Sequence, residues 1–98
     1  MTPEGRTKKK VVEVLKRHGV YYFFPATGGY GRSGVPDIVC CMPGGRFMGI
    51  ECKAGKGTTT LLQEKELEKI RHAGGVALVV YEDNIEVVEM AIKGVRSA

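Results

Sequence analysis

A chain of 98 residues can close one hydrophobic core but not two, so residues 1–98 are read as a single domain. Hydrophobic residues at 43% and charged residues at 27% are ordinary for a globular protein, which argues against a disordered or fibrous chain. The net charge of +4 is uneven: residues 1 to 57 hold ten basic and four acidic side chains, net +6, while the remainder holds five and seven, net −2. A basic half of this kind suits a polyanionic partner.

The first predicted element is a helix, with Thr2 as N-cap, Pro3 at the first helical position and Glu4 in the first turn, running to Arg17 and stopped by Gly19. The row 4, 8, 11, 15 follows a single helix face and contains Val11 and Leu15, so Glu4 is expected in line with the core and Glu13 away from it. Val20 to Phe24 is β-branched and aromatic and reads as a strand ended by Pro25. Its aromatic residues Tyr21, Tyr22, Phe23 and Phe24 are read as core and edge packing. Ala26 to Gly34, rich in glycine and carrying Tyr30, Arg32 and Ser33, reads as a surface loop.

Val35 to Met42 and Arg46 to Lys53 are strand candidates joined by the hairpin signal Pro43-Gly44-Gly45. After a second loop from Ala54 to Thr59, centred on Lys56, the run Thr60-Leu61-Leu62-Gln63 fits a capping box. It opens a helix that turns Leu67 and Ile70 inward and ends at Gly74-Gly75. Val76 to Tyr81 is nearly all apolar and suits a buried, central strand. Ile85 to Val95 fits either a strand or a last helix. The order implies an α/β fold with a mixed sheet flanked by helices.

Three cysteines, Cys40, Cys41 and Cys52, do not make a disulfide framework and are read as buried, reduced, small hydrophobes. His18 and His72 sit where helices end and supply no fourth zinc ligand. With no apolar run approaching the ~20 residues that cross a bilayer, a cytoplasmic protein with no membrane association is expected.

The chemistry concentrates on two runs. Side chains alternate along a strand, so Glu51 and Lys53 share a face, about 7 Å apart at the backbone. Asp37 joins them only in one hairpin register. A loop of residues 43 to 45 pairs Met42 with Arg46 and sets Asp37 opposite Glu51, whereas a two-residue turn at Gly44-Gly45 sets it opposite Cys52. Two carboxylates with the backbone carbonyl of Cys52 would make a hard oxygen site for Mg²⁺ or Mn²⁺, and Lys53 would position water or meet developing negative charge. Tyr30, Arg32, Ser33 and Lys56 are candidate DNA contacts from the two loops.

Pro36-Asp37 followed by Glu51-Cys52-Lys53 resembles the PD-(D/E)XK nuclease signature. The wider string from Arg32-Ser33-Gly34-Val35-Pro36-Asp37 through Ile50-Glu51-Cys52-Lys53-Ala54-Gly55 to Gln63 and Gly74-Gly75-Val76 looks like the VRR-NUC (virus-type replication-repair nuclease) family. The resemblance implies a restriction-endonuclease-like αβββαβ core, dependence on Mg²⁺ or Mn²⁺, and cleavage of DNA chosen by its structure. It makes Asp37 and Glu51 metal ligands, Lys53 the catalytic lysine and Gln63 a motif residue of the following helix. An acidic residue of the first helix often completes such a site, and Glu4 is preferred over Glu13. Stand-alone members of phages and bacteria resemble Holliday junction resolvases and act as homodimers, so a homodimeric endonuclease acting on branched DNA, four-way junctions above all, is expected. A flap or sequence-specific nuclease of the same superfamily, or a non-catalytic DNA-binding module of the same fold, are the alternatives.

Overall fold

A computed structural model of the chain describes residues 1–26 and 31–94. Helix α1, Pro3–Arg17, begins where expected: the Thr2 hydroxyl accepts the Gly5 N–H at 3.0 Å, and Pro3 occupies the first turn. His18 caps its other end, and Gly19 reverses the chain at φ +67°. The buried stripe of α1 is Thr7, Val11, Val14 and Leu15. The inward face is therefore rotated from the row 4, 8, 11, 15: Lys8 is half-buried, Glu4 is exposed, and Thr7 takes the inward place. Both rows contain Val11, and only the position of the sheet beneath decides between them.

Strand β1, Tyr21–Phe23, is shorter than the apolar run suggested, because the Val20 N–H is drawn to the Leu15 carbonyl at 3.0 Å in closing α1. Strand β2 covers only Ile38–Cys41, and β3 covers Phe47–Cys52. Between them the Met42 N–H donates to Arg46 O and the Gly45 N–H to Met42 O, both at 2.8 Å, with Gly44 and Gly45 at φ +94° and +93°. The Met42–Arg46 bond thus leaves residues 43 to 45 as the loop, whose two consecutive positive φ angles are cheap only for glycine. The register that follows pairs Ile38 with Ile50 and Cys41 with Phe47.

Helix α2, Leu61–His72, opens with the expected capping box and crosses over to β4, Val76–Val80, which runs parallel to β3. The strand order is β1-β2-β3-β4, so β4 is an edge strand and not central. Its apolar character has another cause: helices pack on both of its faces, α2 on one and α3 on the other. A short 3-10 turn, Glu82–Asn84, leads into α3, Glu86–Lys93, ended by Gly94 at φ +72°. The ambiguous last segment is therefore helical, with Val88 fully buried.

The core lies between α1, α3 and one sheet face, where Leu15, Ile38, Met48, Ile50, Val80 and Val88 interlock. Cys40 and Cys52 belong to it, and burial pushes both thiols up to about 12. Cys41 does not: it is exposed, because neighbours on a strand face opposite ways. The aromatic run divides between core and edge: Tyr22 packs against the core, while Tyr21, Phe23 and Phe24, at the β1 edge of the sheet, are 70%, 49% and 49% exposed.

On the other sheet face α2 sits close to β3 because Gly49 has no side chain; a Cβ there would lie 2.7 Å from Ile70 and 2.9 Å from Pro36. Gly34 does the same for the segment leading to Asp37, combining φ +84° with a Cβ position 2.7 Å from the Leu62 backbone. Among the described residues, no helix is long and apolar enough to cross a membrane. Gly34→Ala should cost about 3 kcal/mol, adding left-handed strain to a clash with backbone. Gly44→Ala, with nothing within 4 Å, should cost only the strain, about 1 kcal/mol; urea denaturation of both variants checks the ranking.

Candidate active site

The end of β3 carries Glu51 on the face turned toward α2, and Lys53 follows one residue past the strand. Both side chains are nearly inaccessible, at 3% and 8% exposure, and their charged atoms lie 3.5 Å apart, Lys53 Nζ to Glu51 Oε2. Asp37 stands where the chain bends after Pro36, one residue before β2. Carried one step past Ile38–Ile50, the observed register brings it to Glu51, and the two are linked directly: the Asp37 N–H donates to Glu51 Oε1 at 3.2 Å. Asp37 Oδ2 in turn accepts the Cys52 N–H at 2.9 Å, taking the place of a strand partner that β2 no longer offers there. The Cys52 carbonyl leaves the strand on the same edge as its N–H, toward Asp37.

Two carboxylates share this corner with one ammonium. Burial pushes Glu51 up to about 7, the nearby charge of Asp37 pushes the same way, and Lys53 opposes both. A divalent cation fits the donor set on these grounds: the oxygens are hard, and the corner is short of positive charge. Among the described residues no three His, Cys, Asp or Glu side chains cluster in a metal-holding arrangement. An ion here would rest on Asp37, Glu51, the Cys52 carbonyl and water, as Mg²⁺ accepts.

Glu4 has no hydrogen bond or ion pair to this corner among the described residues, but its charge, like those of Asp37 and Glu51, acts on the Cys52 thiol. Glu4 is exposed in the first turn of α1, lining a shallow recess with Thr2, Pro3, Ala54 and Gly55 just beyond Lys53; Glu13 is exposed farther along the helix. Gln63 is half-buried and used locally, its Oε1 accepting the Thr60 N–H at 2.9 Å while Thr60 Oγ1 accepts the Gln63 N–H at 3.1 Å. No hydrogen bond among the described residues ties it to Asp37, Glu51 or Lys53. Arg32 is bound at one end, Nε to Glu66 Oε1 at 3.0 Å, with most of its side chain in solvent. Ser33 is exposed beside it, and Lys56 is exposed in a turn held by the Gly57 N–H to Ala54 O and by the Tyr81 hydroxyl donating to Gly57 O. Tyr30 lies outside the described residues.

Two polar residues escaped the sequence reading. Glu66 is buried on α2 and also faces Lys69 at 3.4 Å; its place beside Leu67 was the available signal. Thr7 is wholly buried on α1 and donates to the Lys53 carbonyl at 3.0 Å. Nothing in sequence spacing announces a partner 46 residues away.

Residues 5–92 match the family described as archaeal Holliday junction resolvase (Hjc). A relative named "Putative nuclease p44", from Acyrthosiphon pisum secondary endosymbiont phage 1, is 31% identical over 85 residues, 87% of this chain and 88% of that protein. A solved "VRR_NUC domain" superposes with TM-score 0.76 at 28% identity, covering 95% of this chain and 97% of that one. A second solved structure, a "VRR_NUC domain protein", shares the fold with TM-score 0.73 at 23% identity, over 94% and 89% of the two chains. With the strand-end corner of Asp37, Glu51 and Lys53 in the same fold, the chain belongs to the archaeal Holliday junction resolvase (Hjc) family and to the VRR-NUC branch of the PD-(D/E)XK nucleases.

Proposed function

We propose that this chain is a metal-dependent endonuclease that hydrolyses phosphodiester bonds in branched DNA, four-way junctions above all, and that it works as a homodimer. The observation that carries the reading is the buried corner of Asp37, Glu51 and Lys53, with more negative than positive charge and Glu51 held near 7. Mg²⁺ or Mn²⁺ bound to Asp37, Glu51 and the Cys52 carbonyl would polarise the scissile phosphate and acidify a water. Asp37 and Glu51 orient their oxygens through the bonds to the Cys52 and Asp37 amides, so little reorganisation is needed on binding. Lys53 Nζ, beside Glu51, holds the attacking water or meets charge developing on the phosphate. The basic excess in residues 1 to 57 draws the DNA backbone to the half of the chain that carries the corner.

Dimerisation has a surface to support it. Helix α2 packs on β3 and β4, and among the described residues no helix packs on the same sheet face over β1 and β2. There Tyr21, Cys41 and Phe47 form one row across three strands, with Phe23 beside Tyr21 at 6.5 Å between ring centroids. Tyr21, Phe23 and Phe47 are 70%, 49% and 44% exposed. An exposed aromatic patch of this kind, with Arg32, Glu66 and Lys69 beside Phe47, would suit the apolar centre of an interface with a polar rim, and a four-way junction, itself two-fold, calls for two paired cuts.

Asp37→Ala and Lys53→Ala should each lower cleavage of a four-way junction by about 10³-fold or more while circular dichroism stays unchanged. Equal wild-type rates on junction and plain duplex, or activity that survives EDTA, would count against the reading. The pH dependence follows from Glu51. Its folded value near 7 lies above the ordinary 4.5, so without metal the folded state keeps a proton that the unfolded chain releases, and stability falls as pH rises from about 4.5 to 7. Bound metal supplies the missing charge, so Mn²⁺ should raise the melting temperature more at pH 8 than at pH 5.5. Glu51→Gln should flatten the slope and abolish that difference. For the dimer, Tyr21→Glu combined with Phe47→Glu should halve the mass seen by light scattering without loss of helix signal.

A further inference from the structure

Four polar side chains are buried among the described residues: Thr7, Glu51, Lys53 and Glu66. Glu51 and Lys53 form the reactive corner, and Glu66 holds Arg32 and Lys69. Thr7 remains, fully inaccessible in the second turn of α1. A helical threonine ordinarily turns its hydroxyl back to the carbonyl four residues earlier. Here that contact, to Pro3 O, is long at 3.5 Å, and the shorter bond of 3.0 Å goes across the core to the Lys53 carbonyl. The hydroxyl has one proton to give, and the distances award it to Lys53.

Lys53 is thereby held on both sides. Its N–H donates to Val80 O of β4 at 2.9 Å, and its carbonyl accepts from α1. It is also the first residue beyond the ladder of β3, where the chain would otherwise be free to swing into the turn over Ala54 to Gly57. With its N–H and carbonyl both anchored, the direction in which the Lys53 side chain leaves the backbone is set, and that direction ends 3.5 Å from Glu51. The same bond fixes the first turn of α1, which carries Glu4, against Ala54 and Gly55.

We propose that Thr7 is a positioning residue of the nuclease site: its hydroxyl, donated to the Lys53 carbonyl, sets where the Lys53 ammonium stands beside Glu51. The proposal rests on the nuclease reading above. It predicts a loss in the chemical step and not in DNA binding, because Thr7 is buried and cannot touch DNA.

The test compares Thr7→Val, which keeps the shape and removes the donor, with Thr7→Ser, which keeps the donor and removes a methyl group. Single-turnover cleavage of a four-way junction in saturating Mg²⁺ should fall about 10- to 100-fold in Thr7→Val and stay within about three-fold in Thr7→Ser. Affinity for the same junction, measured with Ca²⁺ in place of Mg²⁺, should stay within about two-fold for both. The carbonyl ¹³C resonance of Lys53 should move upfield in Thr7→Val alone, a readout that needs no activity. Should Thr7→Val fail to fold, Thr7→Ala against Thr7→Ser at lower temperature carries the same contrast. A wild-type rate in Thr7→Val, or an equal loss in Thr7→Ser, overturns the proposal with the nuclease reading intact. A wild-type chain that cuts no DNA overturns both.

Discussion

The burial of Glu51 next to Asp37, with Lys53 as the ammonium held against it, is the constraint around which the rest of the molecule is arranged. A carboxyl group at 3% exposure is pushed toward its neutral form by desolvation, and the folded chain accommodates it through two partners, the Asp37 amide and the Lys53 ammonium. Each partner arrives from a different direction. Asp37 comes through the hairpin register, Lys53 along β3 itself, and the backbone of Lys53 is gripped by β4 and by α1. The fold thus converges on one strand end, and the corner combines buried electrostatics with a backbone that has little freedom to rearrange.

Glycine makes this convergence possible at two close approaches. Gly49 lets α2 and Pro36 settle on β3, and Gly34 lets the segment before Asp37 pass against the Leu62 backbone. The Arg32–Glu66 pair ties the same segment to α2 from the solvent side. An ion pair with Arg32 so exposed contributes little to stability. The segment leading to Asp37 is therefore packed against β3 and α2.

The two faces of the sheet serve different ends. One is closed by α1 and α3 and holds the aliphatic core, including two cysteines whose thiols burial keeps protonated. The other, among the described residues, is covered by α2 over β3 and β4 and carries exposed aromatic side chains over β1. Glu51 lies on this second, half-open face, on the same strand as Phe47. A partner covering the aromatic row would sit on the sheet face that carries the corner.

The sequence by itself determined the helices and the hairpin, because their signals are local. The Thr2 and Thr60 caps, the Gly44-Gly45 pair and the alternation of Glu51 with Lys53 each act within a few residues. It also brought Asp37, Glu51 and Lys53 to notice as residue types of one chemistry, with the hairpin register stated as two alternatives. The folded sheet chose between them, since the Met42–Arg46 hydrogen bond and the pairing of Cys41 with Phe47 close a three-residue loop, whereas positive φ at both glycines suits either turn. Tertiary structure also decided that β4 lies at the edge, that the last segment is α3, and that Cys41 and three aromatic residues face outward. Above all it decided the inward face of α1, where Thr7 replaced Glu4, because which side of a helix is buried depends on the sheet laid against it and not on the helix alone.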